Sequence, residues 1–285
     1  MDALLPRSLE EALTLRAAHP DAVPVAGGTD LMVAVNFGRA RPPALLDLSR
    51  VAELKACRRE NGTVFVGAGM TFARITRELA EFRPLVEAAR SVGSPQIRSR
   101  ATIGGNIGTA SPAGDALPVL AAYDASIVAG SARGTRREAW NDFFTGPKQT
   151  TLAPDELVLG VEWHVADGPG SFAKVGTRNA MVIAIAGLCL QLDEDARAVR
   201  LALGSVAPTI VRAPDAEAFA AGAIPWDDPR RELPESAVSE FGRLAAEAAR
   251  PIDDVRGSAA YRRHVVEVLA RRALLRTLAD RRSAA

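Results

Sequence analysis

Two glycine pairs constrain this chain more than any other feature: Val25-Ala26-Gly27-Gly28-Thr29-Asp30-Leu31, and Ala101-Thr102-Ile103-Gly104-Gly105-Asn106-Ile107-Gly108-Thr109-Ala110-Ser111-Pro112. Each follows residues of strand character, so the chain turns there on bare backbone. Glycine tolerates positive φ and lets successive N–H groups converge on an anion without lysine or arginine. Thr29, Asn106, Thr109 and Ser111 add side-chain donors. A Gly-Gly before a polar residue also serves as a tight turn or bulge, and for either pair alone both readings stay open. Neither pair is a G-x-G-x-x-G fingerprint, and Gly67-Ala68-Gly69-Met70-Thr71-Phe72 lacks the third glycine. That disfavours a nicotinamide dinucleotide held in a doubly wound fold.

At 285 residues the chain is long enough for two domains, or for one domain of several lobes. A formal net charge of +1 gives no electrostatic reason to expect nucleic acid or an anionic membrane. Cys57 and Cys189 are the two cysteines, far apart and in no C-x-x-C arrangement. They cannot supply an iron–sulfur cluster or a cysteine-based zinc site, and no metal site is expected. Asp2, Pro6, Glu10 and Glu11 do not fit a signal sequence, and the apolar run Ala180 to Leu190 is too short to span a bilayer. A cytoplasmic location is the expectation.

Ser8-Leu9-Glu10-Glu11 has capping-box spacing and predicts a first helix ending near His19-Pro20. Strands are predicted at 23–26, 44–48, 64–68, 124–128 and 157–165, with 31–35 a short helix or strand. Helices are predicted over 71–80 and 85–91, and 140–147 reads as a loop. Gly168-Pro169-Gly170 marks a boundary near residue 168, followed by strands at 172–175, 181–192 and 199–203 and helices at 236–250 and 259–280. In the last helix Val265, Val266, Leu269, Ala273, Leu274 and Leu278 form a core stripe. Arg262, Arg263, Arg271, Arg272 and Arg276 lie largely on other faces, solvated or set for a partner subunit.

With these loops in place the chain resembles the FAD-binding medium subunit of the xanthine dehydrogenase and carbon monoxide dehydrogenase family of molybdenum hydroxylases. The resemblance rests on Ala26 to Leu31, Gln96-Ile97-Arg98, Thr102 to Ile107, Ala110-Ser111-Pro112-Ala113-Gly114-Asp115, Phe172-Ala173-Lys174-Val175-Gly176-Thr177-Arg178 and Asp254 to Arg263, in order over nearly the whole chain. Its wording looks closer to bacterial xanthine dehydrogenase-like proteins than to carbon monoxide dehydrogenases.

The resemblance implies an α+β fold: a two-lobed FAD-binding domain of the PCMH or vanillyl-alcohol-oxidase type over 1–168, with lobes of about 1–55 and 56–168, and a smaller sheet-plus-helices domain over 169–285. It implies a large subunit with molybdenum cofactor and a small subunit with two [2Fe–2S] clusters, assembled as a dimer of heterotrimers. Electrons would pass from those clusters through FAD to NAD+ or another acceptor.

By the same resemblance Ala26, Gly27, Gly28 and Thr29, with Gly104, Gly105 and Asn106, would hold the pyrophosphate of FAD, and Asp30, Leu31, Thr102 and Ile103 would be cofactor-binding residues beside them. Thr109 and Ser111 would donate to phosphate or ribose, and Asp115 would accept from a flavin or ribose hydroxyl, unless it caps an Asx-type turn. Val158 would lie against the isoalloxazine, or be an ordinary strand residue. Lys174 would sit near the ring, where a cation favours anionic reduced flavin, or be an exposed charge. His19, His164 and His264 lie outside both glycine loops, so FAD is expected to be non-covalent. No catalytic acid or base is required. A self-contained flavin oxidoreductase and a non-redox nucleotide-binding or scaffold subunit are the alternatives. Gly104→Val is expected to lose FAD with the fold retained.

Overall fold

The computed structural model describes residues 2–284. The elements in chain order are β1 (Asp2–Leu4), α1 (Leu9–Ala18), β2 (Val23–Val25), α2 (Leu31–Asn36), β3 (Ala44–Asp47), β4 (Cys57–Glu60), β5 (Thr63–Gly67) and α3 (Phe72–Glu78). Next come α4 (Arg83–Ser91), α5 (Pro95–Arg100), α6 (Ile103–Thr109), α7 (Leu117–Ala122), β6 (Ser126–Ser131), β7 (Gly134–Ala139), α8 (Trp140–Phe143), β8 (Phe144–Gly146) and β9 (Gln149–Thr150). The chain finishes with β10 (Leu157–His164), β11 (Gly170–Val175), β12 (Ala186–Asp193), β13 (Ala198–Gly204), β14 (Val211–Arg212), α9 (Pro214–Ala223), α10 (Glu235–Ala248) and α11 (Ala259–Ala284).

These form two compact units that are not contiguous in sequence: one of residues 1–78, 93–111 and 124–164, the other of 79–92, 112–123 and 165–285. In the first unit β1, β3 and β2 make a parallel sheet in that order, with α1 and α2 as crossovers. Ser8 caps α1 by accepting from Glu11 N–H at 3.2 Å. The Glu11 carboxylate reaches back to the N–H of Arg7 at 2.7 Å, one residue before the cap. The second sheet is antiparallel, ordered β4-β5-β10-β6-β7. Its central β10 is buried along nearly its whole length, and a register irregularity lies between Val158 and Gly160.

The second unit centres on the antiparallel sheet β11-β12-β13-β14. Leu188, Leu190 and Leu192 on β12 and Val199, Leu201 and Leu203 on β13 alternate with period two, and all six join a core completed by α9, α10 and α11. The intervening residues, such as Cys189 and Ala202, are equally buried. Both faces of this sheet are therefore covered. Helix α7 lies against β12 and β13 and α4 against β11, while α11 and α9 pack against the same strands.

Several sequence expectations change here. The run 181–192 enters its strand at Ala186, and 140–147 holds a helical turn and a short strand. Arg262 is buried at 4% exposure, where it donates to Ile185 O at 2.5 Å, Ser205 O at 2.8 Å and Asp254 Oδ1 at 2.6 Å. Placing it on an outer face assumed that the arginines of α11 are alike. Arg276 and Arg271 do face outward and pair with Glu87 and Glu235. Among the described residues no helix is long and apolar enough to cross a membrane, and no group of three His, Cys, Asp or Glu could hold a metal ion.

Candidate functional site: two glycine turns and a buried ion pair

The first glycine pair turns the chain from β2 into α2. Gly28 has φ of +72°, a left-handed conformation in which L side chains are strained. A Cβ on Gly27 would overlap the carbonyl oxygen of Arg100, the last residue of α5. Glycine is thus required once for conformation and once for close approach. Met32 N–H closes the turn onto Gly28 O at 2.9 Å. The N–H groups of Gly27, Gly28, Thr29, Asp30 and Leu31 find no acceptor among the described residues. Five successive donors in partly exposed backbone form an electropositive row suited to phosphate oxygens.

The second pair does different work. The expected loop is helix α6, begun by buried Thr102, whose Oγ1 accepts from Gly105 N–H at 3.0 Å. Ile103 N–H donates to Met70 O at 3.0 Å, Gly104 N–H to Ala68 O at 2.9 Å, and Asn106 N–H to Thr102 O at 3.0 Å. The donors expected to meet phosphate here are therefore engaged within the protein. A Cβ on Gly104 would lie 2.7 Å from both Cα and the carbonyl oxygen of Ala68, so this glycine exists for packing. Ile103 is a core residue.

What α6 offers outward is a face without side chains. Gly105 and Gly108 are exposed, and a Cβ on Gly108 would meet nothing within 4 Å. Asn106 Oδ1 is buried with no hydrogen-bond partner, an acceptor in want of a donor. Thr109 is half-buried, and Ala110 ends the helix with φ of +46°. A dinucleotide fits this donor set: its pyrophosphate needs N–H groups such as those of Gly27 to Leu31, and its hydroxyls can donate to an orphan amide oxygen. Val158 is a buried residue of β10 paired with Ala129.

Asp115 and Lys174 meet inside the second unit. Lys174 Nζ donates to Asp115 Oδ2 at 2.6 Å and to Ser91 O at 3.2 Å, and Ser91 Oγ donates to the same Asp115 oxygen at 3.0 Å. Both charged side chains are 8% exposed, which corrects the reading of Lys174 as a solvated lysine and of Asp115 as a turn cap. Burial pushes the Asp115 carboxyl up, and the Lys174 ammonium and Ser91 hydroxyl offset part of that. Ser91, at the end of α4, carries no sequence signal for this role. Nearby in the chain, Glu87 accepts from Phe172 N–H at 2.9 Å and from Arg83 Nε at 3.0 Å, fixing β11 to α4. The Tyr123 ring is tilted against Phe82 with ring centroids 6.3 Å apart.

Residues 1–163 match the FAD binding domain in molybdopterin dehydrogenase, more than half of the chain. The chain belongs to that family. Residues 171–277 of the flavoprotein match the CO dehydrogenase flavoprotein C-terminal domain. It is 32% identical to the glyceraldehyde dehydrogenase medium chain of Sulfolobus acidocaldarius, over 93% of this chain and 94% of that protein. It is 28% identical to the xanthine dehydrogenase FAD-binding subunit of Escherichia coli O157:H7, over 95% and 94% of the two chains. Among solved structures, a carbon monoxide dehydrogenase chain from Hydrogenophaga pseudoflava superposes with a TM-score of 0.88 at 29% identity, covering 99% of this chain and 98% of that one. Similar likeness to proteins named for three different substrates identifies a shared module, not a shared substrate.

Proposed function

We propose that this flavoprotein holds FAD non-covalently as the electron-transfer subunit of a molybdenum hydroxylase, between two [2Fe–2S] clusters of a small partner and NAD+ or another acceptor. A large partner would carry the molybdenum cofactor, and the assembly would be a dimer of heterotrimers in the cytoplasm. The observation that carries this reading is the row of five N–H groups from Gly27 to Leu31 that find no acceptor among the described residues. When bound, the flavin supplies the redox chemistry, exchanging electrons singly or in pairs.

The chain's own residues bind and orient. The donor row of Gly27, Gly28, Thr29, Asp30 and Leu31 neutralises the pyrophosphate without a cation. Ala26 leads the chain into that row, and the bare face of Gly105 and Gly108 admits the cofactor closely. The side chains of Asn106, Thr109 and Ser111 are set to bond its hydroxyls or phosphates. Thr102, Ile103 and Gly104 act from behind by holding α6 in place, and Val158, beside the register irregularity of β10, would lie against the isoalloxazine as the family resemblance implies. Asp115 and Lys174, which the family resemblance assigns to the flavin, are retained in the proposal as a pre-formed buried pair. No side chain is needed to move a proton.

The test is the absorption spectrum of the protein purified from its native host, with mass spectrometry of everything that copurifies before and after acid treatment. Acid-releasable FAD with a molybdenum subunit and an iron–sulfur subunit is the expected result. A colourless preparation that stays colourless after FAD addition would refute the reading.

A further inference from the structure

Helix α4 grips the edge strand β11 at two points, one of them at Lys174 and the other two residues before it. Glu87 and Ser91 are four residues apart on α4, on one face and about 6 Å apart along its axis. Phe172 and Lys174 are two residues apart on β11, about 7 Å along the strand. The two spans match. Glu87 Oε2 accepts from Phe172 N–H at 2.9 Å, and Ser91 O accepts from Lys174 Nζ at 3.2 Å. Because β11 ends its sheet, the Glu87 carboxylate stands where a neighbouring strand would otherwise bond.

The grip is itself anchored. Glu87 Oε1 accepts from Arg83 Nε at 3.0 Å and from Arg276 of α11, and Arg83 donates to Asp280 Oδ2 at 2.6 Å. At the other end Ser91 Oγ donates to Asp115 Oδ2 at 3.0 Å, the oxygen that also accepts from Lys174 at 2.6 Å. An ammonium has three N–H groups. Two are engaged by Asp115 and the Ser91 carbonyl, and the third has no acceptor among the described residues, although the side chain is 8% exposed. A donor left over at that burial calls for an acceptor from outside the chain.

We propose that Glu87 and Ser91 are positioning residues, which set the reduction potential of the bound flavin by fixing the Lys174 ammonium and the Asp115 carboxylate in one arrangement. The proposal rests on the function given above, in which that pair stands at the flavin. The field of a charge depends on its distance and on the donors around it, so a firmly mounted pair makes the potential a property of the fold. The Ser91 hydroxyl, donating to the carboxylate, offsets part of its negative field.

The experiment measures the midpoint potential of FAD in the assembled complex by spectroelectrochemical titration, with hydrogen exchange at the Phe172 amide on the same samples. Asp115→Asn keeps an acceptor for Lys174 but removes the negative charge, and is expected to shift the potential upward. Ser91→Val, without the hydroxyl, and Glu87→Ala, with the strand released, are expected to shift it downward. Ser91→Thr, isosteric with valine but carrying a hydroxyl, should keep the wild-type value. The Phe172 amide should exchange faster in Glu87→Ala. If Asp115→Asn shifts as expected, the positioning roles alone are overturned by a wild-type potential in either Ser91→Val or Glu87→Ala, by equal shifts in Ser91→Thr and Ser91→Val, or by unchanged exchange in Glu87→Ala. An unshifted Asp115→Asn removes the pair from the flavin and the positioning roles with it. A wild-type complex without FAD overturns the functional reading itself.

Discussion

At Gly104 a Cβ would lie 2.7 Å from the backbone of Ala68, whereas at Gly108, one turn on in the same helix, it would meet nothing within 4 Å. The two substitutions should therefore part company. Gly104→Val is expected to abolish soluble, cooperatively unfolding protein, in place of the clean loss of FAD that sequence alone predicts. Gly108→Ala should raise stability by roughly 0.5–1 kcal/mol, because alanine costs less than glycine inside a helix. If the cofactor lies on that bare face, FAD affinity falls in the same variant, as flavin fluorescence titration would show. The Asp115–Lys174 pair makes a second prediction. Removing either charge strands the other in the interior, so Asp115→Ala or Lys174→Ala should each cost ~3–5 kcal/mol, and the double variant much less than their sum. Urea unfolding of all four proteins measures this, and additive losses would refute a buried pair. Both residues stood out in the sequence through their family motifs. That they bond each other did not, because 59 positions separate them and nothing local encodes the meeting.

Among the elements, α11 shows where pattern reading works and where it stops. Its apolar stripe is plain in the sequence and lies in the core as read. Buried Arg262 is not plain, since a guanidinium goes inside only when carbonyls and a carboxylate await it from elsewhere in the chain. One of those partners, Asp254, opens the turn that precedes α11. The N–H of Arg256 and then the Arg262 guanidinium hold its carboxyl below the ordinary 3.8. A carboxyl depressed in the folded state contributes stability above its unfolded pKa and loses it as pH falls through the folded value. Asp254→Asn should therefore be less stable than wild type at neutral pH, with the difference beginning to shrink near pH 3.8 and closing only as pH falls through the lower folded value, in a series of thermal melts. A constant gap across the acid range would show that the anchoring charge is elsewhere. Helix α6 was hidden for the opposite reason. Three glycines in seven residues argue against a helix, and the Thr102 cap with the backbone of residues 68 and 70 overrides that propensity.

For the whole molecule, residues 79–92 and 112–123 group by contacts with the C-terminal unit, although they lie far upstream of it in sequence. The strands on either side of residue 168 were legible from alternation and the Gly-Pro-Gly punctuation. Which sheet α4 and α7 cover was not, because an apolar helix does not name its partner. A fragment of residues 169–285 lacks both helices, leaving one face of β11, β12 and β13 bare. We expect it to aggregate or to bind hydrophobic dyes, and a monomeric fragment with sharp thermal unfolding would refute this. The same interleaving sets a schedule during synthesis. At about 5–20 residues per second, α7 leaves the ribosome on the order of ten seconds before the last of the strands β12 to β14 that cover it exists. Through that interval its apolar surface lacks the sheet that covers it, so the nascent chain exposes that surface for longer than a protein built from consecutive domains would.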